Sequence, residues 1–243
     1  MRNLVVGIFG VMTVATSLVY AAGSPAHGDD EIRRVLIHSG SYIDSDTGES
    51  DDLAWALTLC ENDTNRMGRI IYELAHTNNA RIAERMILHL GTYGSLAHLP
   101  FLRVASTNDI AGMSAITSIL RLSGVNEASL ADLDRFLREG RTEGAEKTLV
   151  CWSYSNWAKR PNVPQTARAE LREILMSYGT SNSNVSVQFD RLMRSVDPTY
   201  QNSRRRLRIL RSVSGSQMLP YQISYVTNAI NELVADPESN LPE

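Results

Sequence analysis

HTNNARIAERMILHLGTYG at residues 76–94 and STNDIAGMSAITSILRLSG at residues 106–124 are one plan written twice. At an offset of 30, Thr77-Asn78 falls on Thr107-Asn108, Met86 on Ile116, Leu90 on Leu120 and Gly94 on Gly124. A polar turn, apolar residues at helical spacing and a closing glycine recur together, which is the pattern of a repeated helical hairpin. Strand-like alternation of Val, Ile and Thr is nearly absent from the chain.

Working outward from these stretches, Asp63 or Thr64 caps a predicted helix over 65–75, with Met67, Ile70, Ile71 and Leu74 apolar. Its partner runs over 80–90 through Ile82, Met86 and Leu90, and Gly91 and Gly94 end it. The next hairpin pairs 96–105, carrying Leu99, Leu102 and Val104, with 110–122, closed by Ser123-Gly124. A third pairs 130–139, capped by Ser129, with 144–159, whose core residues are Leu149, Trp152 and Trp157.

The middle unit resembles a HEAT repeat. The residues that carry the likeness are His98-Leu99-Pro100-Phe101-Leu102, Asn108-Asp109 in the turn, and Ala111, Ala115 and Ile119 before Ser123-Gly124. The preceding unit lacks the proline and has Asn79 where Asp109 stands; the third lacks both. The resemblance implies a scaffold with a partner-binding surface and assigns no activity.

The flanks carry other signals. Arg2 is the only charge before an apolar run over 4–20 and the small residues Ala21-Ala22-Gly23-Ser24. That reads as a secretory signal peptide ending at residue 21 or 22, which places the mature chain in the periplasm or outside the cell. Removing Arg2 makes the mature chain one unit more negative than the formal −3. Residues 29–38 form a helix with Asp29, Asp30 and Glu31 in its first turn, where the helix dipole favours acids. The acidic loop 40–52 misses the calcium pattern, because Gly48 stands at loop position 5 and Trp55 at position 12. Ser50 caps the helix that follows. Beyond 157, Pro161 and Pro164 break the chain before a helix over 166–178 and a loop over 179–184. Helices over 185–196, 200–213 and 220–234 then precede an acidic tail over 236–243.

Charge excludes little, since a pI near 6.0 and mean hydropathy of −0.20 describe an ordinary soluble composition. Its distribution is more informative. Residues 29–63 hold ten acids and two arginines, whereas 185–215 hold seven arginines and two aspartates. Arg204, Arg205, Arg208 and Arg211 form a basic helix, a candidate strip for an acidic partner. Asn78, Asn108 and Asp109 in the inter-helix turns are the other candidate partner contacts. Nucleic acid fits poorly with export and with the lack of aromatics among those arginines. No phosphate loop, nucleophile elbow or metal-binding histidine pair is present, so no catalytic, cofactor or metal residue is assigned. His89 and His98 are the histidines that neighbouring repeats bring closest. Trp152 and Trp157 are expected in the core, with Tyr154 at a groove edge.

The expected architecture is all-α, a right-handed α-α superhelix of about ten helices, HEAT- or armadillo-like. Residues 1–22 are the leader, 23–63 a linker with acidic loop and helices, 64–159 the repeats, and 160–243 C-terminal hairpins. The expected function is a non-catalytic scaffold in the cell envelope that binds a protein partner. An enzyme whose site only the fold assembles, or a cell-wall carbohydrate binder using Tyr154, are the competing readings. Cys60 and Cys151 fall on separate stacked helices, roughly 20–30 Å apart at 8–10 Å per layer, beyond the ~7 Å between Cα atoms that a disulfide spans. Two buried free thiols predict no change in intact mass on reduction, which mass spectrometry of the unreduced and reduced chain checks.

Overall fold

The computed structural model describes residues 28–38, 51–142, 144–181, 187–213 and 218–235. Among the described residues there are twelve α-helices, two short 3₁₀ turns and no strand. In order they are α1 (Asp29–His38), α2 (Asp51–Leu59), α3 (Thr64–Ala75), α4 (Ala80–Tyr93), α5 (Leu99–Ala105) and α6 (Gly112–Ser123). Then follow α7 (Glu127–Glu139), α8 (Gly144–Ala158), α9 (Gln165–Ser181), α10 (Val187–Val196), α11 (Arg204–Ser212) and α12 (Pro220–Ala235). The leader, the acidic loop with its Ser50 cap and calcium test, Glu143, and the acidic tail lie outside the described residues.

Short polar side chains set the helix starts. The Asp63 carboxylate accepts from the Asn65 and Arg66 amides, and Asn79 caps α4 through the Ile82 amide. Asn126, not Ser129, caps α7: its side chain accepts from the Ser129 amide while Ser129 Oγ accepts from the Asn126 amide. That reciprocal pair begins the helix three residues earlier than the apolar pattern indicated. Gly124 closes α6 at φ +69°. Gly91 ends nothing; α4 runs through it to Tyr93.

Packing explains Gly91. A Cβ there would sit 2.9 Å from Ser118 Cα, so the bare backbone lets α6 lie close on α4. The Ser118 hydroxyl donates to the Ile87 carbonyl at 2.7 Å. At Gly68 the approach is closer still, with the Tyr93 carbonyl oxygen 2.2 Å from where a Cβ would stand. Contacts then run to the next-but-one helix: α4 on α6, α6 on α8 and α8 on α10, with α1 on α3, α7 on α9 and α9 on α11. One apolar core extends from Ile32 to Ile209, and a smaller one seats α12 through Val226, Ala229 and Leu233.

Several residues face the other way from the sequence expectation. Val104 is 75% exposed and Leu149 58% exposed. The buried positions are Leu102 in α5, and Thr148, Cys151, Tyr154 and Ala158 in α8, which puts Val104 and Leu149 on the outer faces. Tyr154 is fully buried and its hydroxyl donates to the Ser129 carbonyl, so it edges no groove, while Trp152 and Trp157 are only half-buried. The loop expected from Gly179 starts later, because α9 continues to Ser181 with Gly179 buried under Phe189. Cys60 and Cys151 are both buried free thiols.

Charged groups join the helices. Asp29 accepts from Arg66 and Arg69 of α3, which hold its carboxyl below the usual range, and Arg33 pairs with Glu73. At the other end Asp190 of α10 is completely buried. Its carboxylate accepts from Tyr200 at 3.0 Å, Arg206 Nε at 3.2 Å and Tyr225 of α12 at 2.6 Å. His89, 1% exposed, has its pKa lowered from 6.5 to about 4 by burial and then by the charges of Arg85 and Arg121.

Two stability measurements follow. Gly68→Ala gains about 1 kcal/mol of helix propensity but forces a backbone clash of the kind that costs about 1–3 kcal/mol. Denaturant titration should therefore show a net loss, larger than for Gly91→Ala. His89 stays neutral when folded, so its contribution is complete above pH 6.5 and disappears as pH falls towards 4. The wild-type chain should lose about 3 kcal/mol more than His89→Gln across that window.

Candidate anion-binding cleft

The 160–164 break shapes the best-defined polar site. Pro161 and Pro164 keep this segment out of a helix, and buried Val163 pins it down. The Val163 amide bonds the Arg160 carbonyl, and the Arg168 amide reaches back to the Pro164 carbonyl as α9 begins. The turn thus folds the first two turns of α9 against the end of α8, with the end of α10 alongside. Between them is a cleft of 210 Å³ lined by Ser155, Lys159, Gln165, Arg168, Arg172 and Ser195 among others. Gln165, Arg168 and Arg172 are spaced i, i+3 and i+7, so a single stripe of α9 faces it.

Three cations converge there. The Arg168 guanidinium donates through Nη2 to the Arg160 carbonyl at 3.0 Å, and its Nε is buried with no partner. Lys159 Nζ donates to Asn156 Oδ1 at 3.2 Å. Among the described residues no carboxylate stands within 4.0 Å of Lys159, Arg168 or Arg172. The Ser155 and Ser195 hydroxyls donate to their own helices, at the Cys151 and Leu192 carbonyls, so the cations supply the recognition. Arg160 itself lies over the Trp157 ring, 3.5 Å from its centroid, which takes that face away from any sugar or peptide.

Charge counting missed this site, and local spacing does not single it out either. Some helical arginines have an acid three or four residues away, as in Arg33–Asp30, Arg69–Glu73, Arg135–Asp132 and Arg138–Asp134, but Arg85, Arg103, Arg121, Arg191 and the arginines of α11 have none at either spacing. Arg168 and Arg172 have none at either spacing. At those spacings Arg168 has Pro164, Gln165, Leu171 and Arg172, and Arg172 has Arg168, Ala169, Leu175 and Met176.

The other candidates are distributed differently. On α11, Arg204 and Arg205 are half-buried and Arg208 and Arg211 exposed. Arg205 and Arg208 line a second groove of 320 Å³ with Glu173, Met176, Ser177 and Thr180 of α9. Arg206 faces inward to Asp190 and is no part of that strip. Asn78 is exposed in the α3–α4 turn. Asn108 and Asp109 accept from the Ile110 amide, with Asn108 also accepting from Ala111, so both build their turn. These turns and α11 form no common site, since α11 packs chiefly on α9, α10 and α12.

Histidines and acids complete the inventory. His38, His76 and His98 each bond their own local backbone; the His98 ring packs on Tyr72 rather than His89, and His76 stacks on Phe101. Glu84 of α4 has its carboxyl pushed up by burial and then by Glu146 of α8, opposed by a hydrogen bond from Ser114 of α6. A raised carboxyl is the ordinary result of two acids meeting at a helix interface. Among the described residues no three His, Cys, Asp or Glu side chains gather to hold a metal ion, and no helix is long and apolar enough to cross a membrane. No protein-family model, curated protein or solved structure matches the chain.

Proposed function

We propose that this chain is an exported, non-catalytic scaffold, a right-handed HEAT-like array that binds an acidic protein partner in the cell envelope. The observation that carries this reading is the cleft at the α8–α9 turn, where three cations with no carboxylate partner among the described residues meet on a chain with excess acid. Lys159 is exposed and Arg168 and Arg172 are half-buried; like charges brought together repel one another unless an anion sits among them, so their convergence supports a ligand from outside the chain. The next-but-one helix contacts support the array: each hairpin finishes its core against the following one and leaves long surfaces available. A second groove, on another face of α9, carries Arg205 and Arg208 beside Glu173.

Capture of the mature chain's partners from its own envelope extract tests the reading. Arg168→Glu with Arg172→Glu should reduce capture by about tenfold or more, with the remaining binding falling further as salt rises. Reversal of Arg204, Arg208 and Arg211 should weaken capture less, because only Arg208 of the three borders a groove, and that groove contains Glu173. Capture unchanged by the cleft pair and abolished by the α11 set would move the anchor to α11.

A further inference from the structure

We infer that the group bound by the cleft between α8, α9 and α10 is a phosphate monoester in its dianionic form, an inference that rests on the acidic-partner reading above. Charge is the first argument. Lys159, Arg168 and Arg172 bring three formal positive charges to one 210 Å³ space, and among the described residues no carboxylate within 4.0 Å offsets any of them. A carboxylate returns one negative charge, whereas a phosphate monoester returns about −1.5 to −2 at neutral pH.

Donor type is the second. Two planar guanidiniums and an ammonium suit an oxyanion with three equivalent acceptor oxygens, which takes bidentate contacts from arginine and a point charge from lysine. Arg168 is already oriented, since its Nη2 donates to the Arg160 carbonyl. Its Nε is buried without an acceptor, so the guanidinium's own hydrogen bonds within the chain are incomplete.

The third is the backbone. Gln165, the first residue of the 17-residue α9, lines the cleft. The amides of a helix's first turn have no intrahelical acceptor, and that end of the dipole favours an anion. Size agrees as well: at ~30 Å³ per water the cleft holds about seven waters' worth of volume, room for a phosphate and the first atoms of its carrier. Glu170 and Glu173 sit off the lining stripe, and Glu173 faces the groove by Arg205 instead.

Titration calorimetry on the full mature chain tests this with inorganic phosphate, phosphoserine, dimethyl phosphate, acetate and a glutamate-rich peptide. Inorganic phosphate and phosphoserine should bind, and dimethyl phosphate and acetate should bind about tenfold more weakly or less. Arg168→Gln and Arg172→Gln should each weaken phosphoserine by about tenfold with an unchanged melting temperature, Lys159→Gln should weaken it too, and Arg208→Gln should leave it unaltered. Vesicles with phosphatidic acid separate the sources: binding through Arg168 and Arg172 marks a lipid headgroup, and binding of the soluble monoesters alone marks a soluble one. Equal affinity for acetate and phosphate, or phosphate binding insensitive to Arg168→Gln and Arg172→Gln, overturns the inference. If the glutamate-rich peptide binds through these arginines and no monoester does, the phosphate assignment falls and the acidic-partner reading stands. Monoester binding without capture of any acidic protein sinks that reading and leaves the phosphate site.

Discussion

The contact on which this architecture depends is the crossing of α4 over α6. Gly91 presents bare backbone at the crossing, and the buried Ser118 hydroxyl donates to the Ile87 and Leu88 carbonyls across it. A hydroxyl buried without an acceptor would be costly, and a carbonyl in a helix has a second lone pair to offer, so the pair fixes both separation and register. Gly68 does the same one layer earlier by admitting the Tyr93 carbonyl. Once α4 and α6 are this close, α8 and then α10 have a surface to continue on, and the apolar core runs unbroken from Ile32 to Ile209.

Arginine is used here mostly as a joint between helices. Arg66 and Arg69 hold α1 to α3 through Asp29, Arg103 and Arg135 meet on Asp132 between α5 and α7, and Arg206 binds Asp190 between α10 and α11. The pairs at Asp29 are open to solvent, where screening leaves them little to contribute. Asp190 is different because it is wholly buried, and both Arg206 and two tyrosines are required to replace the water it has lost. Burial, then the neighbouring Asp190 charge, pushes the Tyr200 hydroxyl far above its ordinary range, so it remains a donor. Tyr225 carries that network into α12, which otherwise rests on a small apolar patch of its own. Among the described residues the cations of the α8–α9 cleft join no carboxylate within 4.0 Å.

The helices were legible because their signal is local. Apolar spacing found all of α3 to α9, and the polar turns marked by Asp63, Asn79, Asn108 and Gly124 are where the chain reverses. The failures share one cause. Val104 and Leu149 are apolar and sit in helices, yet their hydrophobicity does not tell which face the neighbouring helix will cover. Tyr154 went inward for the same reason, since only the fold brings the Ser129 carbonyl to its hydroxyl. Gly91 and Gly179 read as breaks, and both are contact points instead, because a glycine that admits a neighbour looks the same in sequence as one that stops a helix.

The candidate cleft divides in the same way. By itself the sequence determined an all-helical chain, a reversal at Pro161 and Pro164, and two arginines of α9 lacking an acid at helical spacing, because helical period, proline geometry and i, i+4 neighbours are fixed by covalent order. Only the tertiary structure decided that Lys159 and the end of α10 close around those arginines, that Arg206 turns in to Asp190 while Arg208 stays out, and that Asn108 and Asp109 serve their own turn. Those are matters of which helix faces meet, and face-to-face packing follows from the shape of the whole core rather than from any single stretch of chain.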